Sequence, residues 1–99
     1  MILYLSGPYR GDVASNIARA WVKAQSLWPR FTVLCPHTNS AFMDEADFIA
    51  GDLEIIDRLL PSDGIYMMQG WRKSEGALLE HHRAKERGLQ IYEEGVNEP

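Results

Sequence analysis

Apolar residues recur along this chain in two rhythms. Short, mostly apolar runs appear at Ile2–Ser6, Phe31–Cys35, Ile65–Met68 and Leu89–Tyr92, each flanked by glycine or proline (Gly7-Pro8, Pro36, Gly64, Gly88). Runs of this length between turn residues predict buried strands. Between them the apolar spacing changes to three and four. Ile17, Ala20, Trp21, Ala24, Leu27 and Trp28 predict a first helix, capped by Asp12 and stopped by Pro29, with both tryptophans in the core. Leu53, Ile55, Ile56, Leu59 and Leu60 predict a second, over Gly51 to Leu60, broken by Pro61-Ser62-Asp63-Gly64. A third runs from about Ser74 to Arg87, with Gly88 as its C-terminal cap. Pro36 to Ala50 is mixed, and reads as a long surface loop with a short helix around Ala41 to Ala46.

Strand and helix therefore alternate, and an alternating chain predicts a parallel sheet covered on both faces. The simplest strand order is 2-1-3-4. In that order the chain reverses between strands 1 and 3, and ligands of open α/β sheets bind in the crevice at the carboxyl ends of such a pair. The loops Gly7 to Asp12 and Gln69 to Lys73 meet there.

At 99 residues the chain has room for one core, expected over 1–92, followed by an acidic tail at 93–99. So small a domain is expected to work as a homo-oligomer, a dimer or higher. The formal net charge of −4, with no basic cluster, argues against a nucleic acid polymer as partner and for a nucleotide-sized ligand. No apolar run approaches a membrane span, and Met1 to Leu5 lacks the basic leader of a signal peptide, so a cytoplasmic location without a membrane partner is expected. With one cysteine, Cys35, there is no internal disulfide. The three histidines include an adjacent pair, His81-His82, that points in different directions on a helix, and no HExxH is present. Neither a metal nor another cofactor is expected.

Candidate chemistry gathers around the predicted crevice. Ser74 can cap the third helix and leave the N–H groups of Glu75, Gly76 and Ala77 facing an anion. Glu80 follows one turn later, with small residues at Gly76, Ala77 and Ala84 leaving space for a ligand beside it. Asp52 falls inside the apolar arc of the second helix. There burial would hold its proton toward neutral pH, unless it merely caps that helix. Gly7-Pro8-Tyr9-Arg10-Gly11 allows close backbone approach and offers a guanidinium fork, without the Walker or dinucleotide-binding glycine pattern. Trp71 can close over a base or a subunit interface, or pack.

Taken in order, Tyr4-Leu5-Ser6-Gly7-Pro8-Tyr9-Arg10-Gly11, Gly51-Asp52-Leu53, Asp63-Gly64-Ile65 and Ser74-Glu75-Gly76-Ala77-Leu78-Leu79-Glu80 resemble the nucleoside 2-deoxyribosyltransferase family and its relatives, the 2'-deoxynucleoside 5'-phosphate N-hydrolases. The likeness spans about residues 2 to 92 and is strongest to a small phage and bacterial branch of unknown function. It implies a flavodoxin-like three-layer sandwich and cleavage of an N-glycosidic bond, with water or a second base as acceptor. It also implies that Glu80 is the nucleophile, that Asp52 assists the leaving base or holds the sugar, and that Tyr4 stands near both. Gly7, Arg10, Ser74 and Gly76 match positions that contact sugar or phosphate. Gly70-Trp71-Arg72-Lys73 departs from the best-known members. Two other readings stand beside this one: a nucleotide-binding module without turnover, and an NAD glycohydrolase.

Overall fold

The computed structural model describes residues 1–99. Four strands, β1 (Ile2–Ser6), β2 (Thr32–Leu34), β3 (Gly64–Met67) and β4 (Gln90–Glu93), form one sheet in the order β2-β1-β3-β4. All three pairings are parallel. The helices are α1 (Val13–Leu27), α2 (Pro36–Asn39), α3 (Glu45–Asp57) and α4 (Glu75–Glu86), with one 3-10 turn at Trp71–Lys73. The fold is a flavodoxin-like sandwich, as the resemblance implies, and its parallel sheet and strand order are those expected from the alternation of elements.

Side chains alternate across β1 and β3 and so feed two cores. Leu3, Leu5, Tyr66 and Met68 meet Ala20, Ala24 and Leu27 of α1 on one face. Tyr4, Ile65 and Met67 meet Ile56 of α3 and Ala77 and Ala84 of α4 on the other. Both central strands are buried on both sides, which is why their sequences read as continuous apolar runs.

Asp12 caps α1 by accepting from the Ser15 N–H at 3.1 Å, and α1 ends at Trp28, both as expected. Its tryptophans are a correction: Trp21 and Trp28 are more than half exposed, not core. The buried positions are Ala20, Ala24 and Leu27, spaced by four and three, and each tryptophan lies one residue, about 100°, past that stripe. Small alanines bring α1 close to the sheet, which leaves no gap for an indole.

The stretch Pro36 to Ala50 also differs from expectation. A short helix occupies Pro36–Asn39, and α3 begins at Glu45. Asp44 caps α3 through the Ala46 N–H, at 3.1 Å, so Asp52 lies in the helix interior and is not its cap. Beyond β4 the acidic residues fold back: Glu93 and Asn97 form an antiparallel bridge, and Tyr66 donates to Glu98 at 2.7 Å.

The start of β1 is held by Asp63. Its buried carboxylate accepts from the Ile2 N–H at 2.8 Å and the Leu60 N–H at 2.9 Å, while its backbone carbonyl accepts from Gln90 at 3.0 Å. Asp63→Ala leaves two amide groups without acceptors, and urea unfolding is expected to show a loss of about 2 to 3 kcal/mol. Asp63→Asn, which keeps one acceptor, is expected to lose less.

Candidate active site

Tyr4 and Ser6 are two residues apart on β1 and therefore face the same side of the sheet, toward α4. Glu80, in the second turn of α4, is only 6% exposed and lies against them. The Tyr4 hydroxyl donates to Glu80 Oε2, and the Ser6 hydroxyl donates to Glu80 Oε1 at 2.8 Å. Asp52, on the inward face of α3, is buried in the same place, near the Tyr4 hydroxyl. With Gly7 it lines a narrow cavity of about 10 Å³ that also reaches Glu80. That is room for about one water molecule.

Burial sets the protonation of this pair. It raises the Glu80 pKa to about 8, against the pull of the Tyr4 and Ser6 hydroxyls, and neighbouring Asp52 adds to the rise. Burial likewise raises Asp52 to about 6, opposed by Tyr4. The sequence placed the retained proton on Asp52. In the structure Glu80 holds it more strongly, because Glu80 is the more deeply enclosed. The Tyr4 phenol, also buried and next to both acids, is pushed well above its usual pKa and stays a donor.

Outside this cavity, between the ends of β1 and β3, lies an open cleft of about 800 Å³. Arg10, Ser74, Lys73 and Arg19 line it, as the meeting of the two loops predicted. Ser74 caps α4 by accepting from the Ala77 N–H at 3.2 Å. Arg19 and Lys73 make no ion pair, and with Glu75 and the Arg10–Glu45 pair on the same lining the cleft carries a small excess of positive charge in an acidic protein.

Five expected positions have a different setting. A Cβ at Gly7 would stand 2.9 Å from the Met68 Cβ, so this glycine serves the close approach of the β1 and β3 ends. The space beside Gly76 is not open: a Cβ there would stand 2.6 Å from Glu45 Oε2. Ala77 and Ala84 are core residues and leave no ligand room. Trp71 is 6% exposed, stacks on His81 with ring centres 4.4 Å apart, and does not line the cleft. Its Nε1 is buried without a hydrogen-bond partner.

Ser6, Tyr9 and Glu45 belong to the site although the sequence reading passed over them. Ser6 was legible, since period two puts it on the Tyr4 face. Tyr9 donates to the Met43 carbonyl at 2.6 Å and packs edge-on against Phe48. His37 donates from Nε2 to the Pro8 carbonyl at 2.9 Å, which ties the Gly7 to Gly11 loop to α2. Glu45 falls in the stretch that reads as a surface loop with a short helix, and nothing there marks it as buried.

Residues 1–93 match the family model described as a domain of unknown function (DUF4406), and the chain belongs to that family. No curated protein and no solved structure matches the chain.

The raised acids make a pH prediction. An acid whose folded pKa lies above its unfolded value holds extra protons in the native state, so stability falls as pH rises between the two values. For Glu80 that window runs from 4.5 to about 8. Thermal unfolding of the wild type is expected to drop by several degrees from the lower to the upper end of that window, and Glu80→Gln is expected to flatten the profile.

Proposed function

We propose that this DUF4406 protein cleaves the N-glycosidic bond of 2'-deoxynucleosides or their 5'-monophosphates, with Glu80 as nucleophile. The observation that supports this most is the placing of Glu80, buried at the carboxyl end of the sheet between two hydroxyl donors and beside a second acid. Paired carboxylates of this kind serve glycoside cleavage, where one traps the anomeric carbon and the other manages the leaving group. The resemblance carried by Tyr4, Asp52, Ser74, Gly76 and Glu80 supports the same reading.

In the reactive form the pair's proton sits on Asp52 and Glu80 is ionised. The Tyr4 and Ser6 hydroxyls favour that form, because both donate to the Glu80 carboxylate. A Glu80 oxygen bonds to C1' of the sugar as the C1'–N bond breaks, and the Asp52 proton passes to the departing base nitrogen. Water then attacks C1', giving its proton to Asp52 and its oxygen to the sugar, and Glu80 is released. A second base in place of water gives transfer. The absence of a 2'-hydroxyl eases positive charge at C1', which favours deoxy substrates.

Arg10, Arg19 and Lys73 favour a 5'-monophosphate over a plain nucleoside, since a phosphate gives these donors a partner. Trp71, buried beside the cleft, acts at most by holding Arg72 and the loop, with the Arg72 guanidinium 4.5 Å from its ring. We further read the protein as a cytoplasmic homo-oligomer without a cofactor. No helix is long and apolar enough to cross a membrane, and Trp21, Trp28, Leu78 and Leu79 offer apolar surface to a second copy.

The test is base release, followed by chromatography, from each deoxynucleoside, each 5'-monophosphate and NAD. Release from a deoxy substrate is expected, falling about a thousandfold or more in Glu80→Ala and about a hundredfold in Tyr4→Phe and Asp52→Asn. Tight binding with no release would leave a nucleotide-binding module, and nicotinamide release would leave an NAD glycohydrolase.

A further inference from the structure

Glu45 lines both the open cleft and the narrow inner cavity, and it shares that position with Tyr9 alone. The wall between Arg10 and the Asp52–Glu80 pair is therefore built from these two side chains. Tyr9 is fixed by its bond to the Met43 carbonyl and by Phe48 and His37 against its ring. Glu45 is held otherwise. Its side chain is 9% exposed, lies over Gly76, and has one ionic partner, Arg10 Nε at 3.1 Å. The Arg10 side chain is itself 64% exposed.

A sugar cannot enter a cavity of about 10 Å³, so a substrate of Glu80 has to move part of this wall. The part free to move is Glu45, and what holds it is a cation within reach of anything in the cleft. We propose that Glu45 sets the preference for a phosphorylated substrate: it is a stopper latched by Arg10, released when a substrate's phosphate monoester takes Arg10 over. This rests on the glycosidic reading above and adds to it the residue that enforces substrate choice.

The exchange is favourable for a phosphate because a dianion with three acceptor oxygens competes well for a guanidinium engaged by one carboxylate oxygen. Arg19 and Lys73, both without ion-pair partners, add to the attraction, and Glu75 on the same lining offsets part of it. A nucleoside without phosphate has nothing to offer Arg10 and meets the stopper in place. Once Glu45 leaves, Gly76 presents no side chain, and the cleft becomes continuous with the space before Asp52 and Glu80.

The experiment compares the wild type with Glu45→Ala and Glu45→Gln, the latter keeping shape while removing charge. Binding of inorganic phosphate and of 2-deoxyribose 5-phosphate, followed by calorimetry, is expected to tighten about tenfold in both variants, the worth of one charge-assisted bond no longer contested. In the base-release assay, the ratio of kcat/KM for a 5'-monophosphate to that for its nucleoside is expected to fall about tenfold, chiefly through faster cleavage of the nucleoside. Unchanged phosphate affinity, or an equal loss of rate on both substrates, would overturn the proposal. If no substrate releases base even with the wild type, the glycosidic reading falls, and phosphate binding still decides the role of Glu45.

Discussion

Everything at the sheet's upper end depends on keeping the Glu80 carboxyl out of water. Burial of that group is unfavourable for its charged form, and the two hydroxyls of β1 offset part of the cost. They can do so only in one register. A slip of one residue would turn Tyr4 and Ser6 toward α1 and put Leu3 or Leu5 against the acid. The strand order, the placing of α4 and the pairing of β1 with β3 are thus all tied to one hydrogen-bonded group. The Asp63 clamp at the other end of β1 holds the same register from below.

Glu80 and Asp52 differ in their grip on a proton because their surroundings differ, though both are carboxylic acids. Glu80 comes from α4 into the deepest part of the site. Asp52 comes from α3 and shares the cavity with Glu45, a third acid that adds to the rise of both pKa values. Burial, with a smaller addition from repulsion among the three acids, leaves the pair with about one proton near neutral pH, and any movement of Glu45 changes how tightly it is held.

Much of the architecture could be read from the residues. Asp12 and Ser74 announce the starts of α1 and α4 because capping is local chemistry, legible within four residues. The start of α3 escaped because Asp44 sits in a mixed stretch where apolar period and loop composition overlap. Trp21 and Trp28 were misplaced because periodicity gives the angle of a stripe only to within one residue, while packing distance decides which neighbour is turned out. The burial of Asp52 followed from its helical angle. The place of Glu45 did not, since it depends on a glycine 31 positions later in the chain, and no local pattern links the two.

The turn that returns Asn97 to Glu93 has an effect beyond tidying the C-terminal residues. A parallel sheet ends in strands whose outer amides and carbonyls invite further strands, the route to domain exchange and fibres. On β4 most of those groups are already taken: Glu93 is bonded through both its N–H and its carbonyl to Asn97, and the Asn97 amide caps the Ile91 carbonyl. The opposite border, β2, is three residues long. Growth by strand addition is therefore disfavoured at both margins.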